Sequence, residues 1–416
     1  MAALEFLTSL AGILLIGIIC TLISKKLKIS NILFLIVAGM LLGRVKFQGV
    51  TLVQFPADFL TSISILALVM IVFDSSTRFK LKEFDELSMY ALKLTGYFLL
   101  LNMLILTFSL IFIFGLGFGI LHLMLALLFA TLMSGTDPAA ILSMLGQTKN
   151  KLLELIEIES LINTPLIVLL PFIILDLINK MTSNGGPVLL NFFNEALPFF
   201  RDFLLRLVAG IGAGILIGII LFKVMKKQYS VILSPLSLIT SALLTYIIAE
   251  NLGGNGVLAV TTLGLFFGNV YVKQKGELQE FSSIFSNALE ILVFVLVGLI
   301  INVPLTASFI FKSFSLFLVY LGIRYLAVYI SFKNYSIGFK EKIFMTLNVQ
   351  KGIAVAVVVF TLSILKIEGI TLILNLTLMF MLYSIIISTF VLKLSHHFVK
   401  SKEVIKETNK KKKNED

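Results

Sequence analysis

Ser134-Gly135-Thr136-Asp137-Pro138 and Asn348-Val349-Gln350-Lys351-Gly352 are two polar, glycine-bearing interruptions in stretches that are otherwise apolar. A proline removes one helical amide and its ring crowds the preceding turn, while a glycine loosens the helix beside it. The first stretch is therefore expected to break a helix between Gly135 and Pro138, and Gly352 marks a break of the same kind in the second. Each break frees backbone groups at mid-depth of an apolar environment, where only protein or a water-filled cavity can satisfy them. Freed carbonyls, the Thr136 hydroxyl and the Asp137 carboxylate are hard oxygen ligands suited to a small monovalent cation.

The surroundings of these breaks decide the solvent. The chain has 416 residues, of which 58% are hydrophobic and 14% charged, with a mean hydropathy of +1.04. A water-soluble core cannot hide that much apolar side chain, so the chain is expected to sit in lipid. A bilayer core needs about twenty apolar residues per helix. Thirteen segments qualify, near 5–24, 29–43, 60–74, 88–114, 119–145, 153–179, 203–222, 231–251, 254–272, 278–301, 305–331, 341–364 and 369–393. The expected fold is all-α, a polytopic membrane protein of about 13 transmembrane helices. A single membrane domain spans 1–394, a basic tail over 395–416 is expected to be disordered, and 188–199 is expected to lie in the interface as a separate helix. The N-terminus has no basic region before its apolar run and no small-residue cleavage site after it, so it reads as a retained first span. Spans 5 and 12 carry the interruptions. They are seven apart and so cross in opposite directions, as corresponding members of two inverted repeats do, the arrangement that points to a transporter binding site.

Charge placement sets the expected orientation. Basic residues crowd the odd-to-even connections, among them Lys25, Lys26, Lys28, Arg78, Lys80, Lys149, Lys151, Lys226 and Lys340, and the tail adds Lys410 to Lys413. The positive-inside rule then places the N-terminus outside and the C-terminus in the cytoplasm. The formal charge of +11 is explained by these membrane-flanking loops and by attraction to anionic lipid, which argues against a nucleic-acid partner.

Inside the apolar segments an ionised side chain costs on the order of 3 kcal/mol or more, so each one needs a partner or a task. Mid-span candidates are Asp137, Glu157, Glu159, Glu290, Arg324 and Lys351, with Asn163 beside them. Only five of the 34 basic residues are Arg, and Arg324 at mid-span is expected to pair with a carboxylate. Glu159 and Asn163 are four apart and share a helix face; Thr164 and Pro165 follow at once. Glu157 faces elsewhere, nearer the cytoplasmic end, and Asp176 lies near the outer end; solvation is the simpler reading for both. Lys351 is placed to offset the carbonyl ends of a broken helix. One cysteine, Cys20, excludes an intrachain disulfide, and three histidines leave no metal or catalytic cluster. No cofactor is expected, nor any metal beyond a transported cation. An intramembrane enzyme is disfavoured because paired protease-type aspartates, a His-rich metal motif and a phosphate-cradling Gly loop are all missing from the sequence.

Thr136-Asp137-Pro138, Glu159-x-x-x-Asn163, Arg324-x-x-x-Val328 and Lys351-Gly352 together resemble the NhaP/NHE-type branch of the monovalent cation:proton antiporter superfamily, over nearly the full chain. The resemblance implies a homodimer in a bacterial or archaeal plasma membrane that exchanges Na+, Li+ or K+ for protons by alternating access, with a core domain moving against a dimerisation domain. It implies cation and proton binding at Asp137, Thr136, Asn163, Thr164 and Glu159, and a Glu159–Arg324 ion pair. One position departs from the pattern. The family has Asp after Asn in span 6, where this chain has Thr164, whose hydroxyl can coordinate but cannot titrate. Proton carriage then falls to Asp137 or Glu159, and a proton-uncoupled transporter or cation sensor remains the alternative.

Overall fold

The computed structural model describes residues 2–27, 29–44, 46–47, 50–51, 55–79, 86–137, 151–183, 188–225, 230, 233–270, 274–333, 335, 337–365 and 367–394. Pro138 and the tail over 395–416 lie outside the described residues.

Apolar runs become helices wherever caps or glycines do not stop them. The chain forms α1 (Ala2–Leu27), α2 (Asn31–Arg44), a short hairpin of β1 (Lys46–Phe47) and β2 (Val50–Thr51), then α3 (Ala57–Thr77) and α4 (Glu86–Leu101). One π-helical turn over Asn102–Leu106 joins α4 to α5 (Thr107–Phe114), which Gly115 ends in the left-handed conformation, φ 67°. Next come α6 (Ile120–Leu132), α7 (Lys151–Ser183), α8 (Val188–Met225), α9 (Leu233–Asn251), α10 (Gly256–Asn269), α11 (Lys275–Ile300) and α12 (Ala307–Ser331). The last three are α13 (Phe339–Leu347), α14 (Ile353–Ile364) and α15 (Ile370–Lys393). Side-chain caps start two of them: the Asn255 oxygen accepts from the Leu258 amide at 2.8 Å and Thr306 Oγ1 from the Phe309 amide at 3.4 Å.

Among the described residues nine helices are long and apolar enough to cross a membrane, and four shorter apolar helices, α2, α6, α10 and α14, fall within other expected segments. One expectation changes, and it concerns α8. Pro165 and Pro171 both lie inside α7, which runs through the whole of the expected span 153–179. The interfacial helix expected over 188–199 is not separate: α8 runs continuously from Val188 into the following span, with Pro198 inside it.

Close packing follows the small residues, as it must where lipid offers no hydrophobic drive between helices. α2 lies along α11, and a side chain on Gly39 would strike the Val295 carbonyl while one on Gly298 would strike that of Ile36. α10 approaches α3 the same way, with Gly264 against the Phe73 carbonyl. In α1 only 17% of the spanning residues are buried against 67% in α15, so α1 lies at the periphery and α15 near the centre. Near the end of α7, Arg206 Nη1 donates to Asp176 Oδ2 at 2.6 Å, a half-exposed pair worth little in energy.

Candidate functional site

The centre of the molecule is a meeting of two extended segments. After α6 ends at Leu132, Gly135 to Asp137 leave helical geometry; between α13 and α14, Asn348 to Gly352 do the same. The Asp137 amide donates to the Gln350 carbonyl at 2.9 Å, joining the two interruptions directly. Gly135 and Gly352 are required by close approach. A methyl on Gly135 would enter Ile167 of α7, and one on Gly352 would collide with the Asp137 carboxylate. Asp137 therefore lies against Gly352, the residue capping the start of α14, where unpaired amides and the positive end of the dipole favour a negative charge.

The opposite pole is met by Lys351. Its fully buried ammonium donates to the Met133 carbonyl at 2.5 Å, the Gly135 carbonyl at 2.6 Å and Tyr320 Oη at 2.6 Å. Three donors thus meet three acceptors, and two of these are carbonyls freed at the end of α6. The second interruption is also clamped from outside. Ser388 Oγ donates to Asn348 Oδ1 at 2.8 Å, Gln350 Nε2 to Ser30 Oγ at 3.0 Å, and the Lys351 amide to Ser384 Oγ at 3.3 Å.

α7 supplies the polar residues behind the crossing. Asn163 Nδ2 donates to Thr136 Oγ1 at 2.9 Å, and Asn163 Oδ1 is buried without a partner among the described residues. Thr164 spends its hydroxyl hydrogen on the Ser160 carbonyl at 2.7 Å, leaving oxygen lone pairs but no proton to exchange. One turn earlier, Glu159 and Arg324 of α12 form a buried bidentate pair, Nη1 to Oε1 at 2.5 Å and Nη2 to Oε2 at 2.7 Å. The guanidinium carbon lies 4.7 Å from the centre of the Phe98 ring. Asn102, aimed by the π turn, donates to Ser134 Oγ at 3.1 Å.

A cavity of about 200 Å³ opens onto this crossing, lined by Thr136, Asp137, Ser160, Thr164 and Gly352 together with Asp74, Arg78 and Glu157, of which Arg78 and Glu157 are exposed. The structure thus brings Asp137, Thr136 and Thr164 to one solvent-accessible space. Asn163, Glu159, Arg324 and Lys351 do not line it; they are buried behind it, and both Glu159 oxygens already accept from Arg324. Glu157 is exposed, as expected of a residue near a helix end, yet its exposure is to the cavity. Sequence reasoning missed Asp74 and left Glu290 without a role. Asp74 accepts from Arg78 Nη2 at 2.6 Å and from Ser283 Oγ at 2.9 Å. The i, i+4 spacing of Asp74 and Arg78 carries that signal.

Fold and site together define a multi-pass α-helical membrane protein built around two interrupted helices that meet beside the Asp137 carboxylate and the Lys351 ammonium. Residues 11–395 match the family model described as sodium/hydrogen exchanger, transmembrane, and the chain belongs to that family. It is 26% identical over 306 residues to the K(+)/H(+) antiporter NhaP of Alkalimonas amylolytica, covering 72% of this chain and 50% of that protein. It is also 26% identical over 312 residues to the probable Na(+)/H(+) antiporter 2 of Methanocaldococcus jannaschii, covering 72% and 70%. The chain spans about half the length of the first of the curated relatives it matches. Among solved structures, the sodium proton antiporter MjNhaP1 of M. jannaschii at pH 8 superposes with a TM-score of 0.75 over 95% of this chain and 98% of that one, at 18% identity. That likeness speaks to the fold.

Proposed function

We propose that this chain exchanges a monovalent cation for protons across a plasma membrane by alternating access, with Asp137 holding either the cation or a proton. The observation that carries this reading is the position of Asp137: on the wall of an open cavity, against the N-terminus of α14, at the contact between two interrupted helices. Thr136 and Thr164 oxygens share that wall and offer further ligands to the ion. Glu159 serves with Arg324 as a structural pair, and Lys351 compensates the carbonyl end of α6. The chain acts as a transporter and not an enzyme, crosses the membrane thirteen times with its N-terminus outside and C-terminus in the cytoplasm, and works as a homodimer. Relatives are named for both K+ and Na+, so Na+, Li+ and K+ are the ions to compare.

The test is flux in proteoliposomes. A pH gradient should drive cation movement in the unaltered protein, and Asp137→Asn should abolish it; exchange that survives this substitution overturns the assignment. One observation favours a second reading. Thr164 stands where the family pattern has a carboxylate and its only proton is committed to the Ser160 carbonyl, which fits a proton-uncoupled conduit or cation sensor. Cation flux that proceeds with lumenal pH unchanged, and persists when pH is clamped, selects that alternative.

A further inference from the structure

The acidic residues of the cavity are not equivalent. Asp74 has one oxygen on Arg78 and the other on Ser283, and Glu157 is exposed. Glu290 of α11 is half-buried, lines the same cavity, and receives no hydrogen bond or ion pair from any described residue. Its helix is tied to α3 twice in succession: Ser283 Oγ donates to Asp74, and Ser286 Oγ donates to the Met70 carbonyl at 3.1 Å. Glu290 follows Ser286 by four positions and so projects from the same face. It stands about 10 Å further along the helix than Ser283, at 1.5 Å per residue. That direction leads away from the exposed Arg78 and toward the buried middle of α3, since the partners on α3 run from Asp74 back to Met70.

A carboxylate kept at such depth without a protein partner has its charge available to whatever enters the space. Thr164, on the facing helix, offers oxygen but no charge. We infer that Glu290 is a second anionic ligand of the cation in this cavity, meeting from α11 the ion that Asp137 meets from the crossing. The inference rests on the exchange reading above and adds to it the residue that supplies the charge missing at position 164. A monovalent ion between two carboxylates is held more tightly than by one, so Glu290 governs apparent affinity rather than turnover.

The measurement is binding as well as transport. For purified protein, the Na+, Li+ or K+ concentration giving half-maximal thermal stabilisation should rise at least tenfold in Glu290→Gln, and the half-saturating cation concentration for flux should rise in parallel while the maximal rate stays within about threefold. A merely structural role would lower the maximal rate or the yield of folded protein and leave half-saturation where it was. Should Glu290→Gln fail to fold, Glu290→Asp keeps the charge with a shorter reach and should weaken binding severalfold. Binding equal to the unaltered protein, in whichever of these variants folds, overturns the inference. If Asp137→Asn stops exchange while Glu290→Gln leaves half-saturation unchanged, the exchange reading stands and this inference alone fails. If the unaltered protein shows no proton-coupled flux yet binds cation in a Glu290-dependent way, the exchange reading fails and the inference survives.

Discussion

Each charged side chain at the centre has its own account. Glu159 and Arg324 are both essentially excluded from solvent, and the pair survives there because two short charge-assisted bonds offset two desolvation penalties. Removing one partner strands the other. Glu159→Gln is expected to destabilise the protein by about 3–5 kcal/mol, whereas Glu159→Gln combined with Arg324→Met should recover most of that loss. Thermal unfolding of the purified variants decides, and equal stability of the single and double variants would show that the pair is not coupled. Lys351 differs in kind, since its three acceptors are two backbone carbonyls and a phenol. It is bonded where an ordinary helix would have bonded itself.

Between elements, the working part is the contact of the segment after α6 with the segment before α14. A carboxylate sits at one helix start and an ammonium at one helix end, so both dipoles are met without an external counter-ion. Gly352 is the spacer that allows it. Gly352→Ala puts a methyl into the space of the Asp137 carboxylate, and displacement on that scale is expected to slow exchange by about a hundredfold. The change should leave the protein folded, because the remaining clamps at Asn348, Gln350 and the Lys351 amide do not involve the Gly352 side. Flux alongside a melting curve separates the two effects; undiminished flux would mean that Asp137 can move aside at no cost. The continuous α8 belongs to this scale too. The stretch over 188–199 reads as a separate interfacial helix, yet the helix continues through Pro198 into the next span.

For the whole molecule, alternating access requires that the cavity be reached from one face at a time. The single cysteine, Cys20, is 8% exposed, so a cysteine placed in the cavity reports with little background. Thr164→Cys, with a membrane-impermeant thiol reagent, should be labelled from the face that carries Arg78, and saturating cation should slow labelling at least threefold if the ion occupies or closes the space. Simultaneous and equal labelling from both faces would indicate a channel.

Composition, spacing and charge placement determined the membrane setting, the all-helical class, both interruptions and the buried charges among which the site lies, because lipid penalises every unpaired polar group and so makes each one conspicuous in the sequence. What they could not determine is which of those groups share a space. Glu157 and Glu159 are two residues apart, yet one opens on the cavity and the other is sealed against Arg324; Asp137 and Gln350 touch although most of the chain separates them. Helix rotation and crossing decide such matters, and these follow from close packing at Gly39, Gly298, Gly264 and Gly352. The tertiary structure alone therefore singles out Asp137, Thr164 and Glu290 as neighbours around one cavity, since contact between distant segments is a property of how surfaces fit and leaves no local pattern to read.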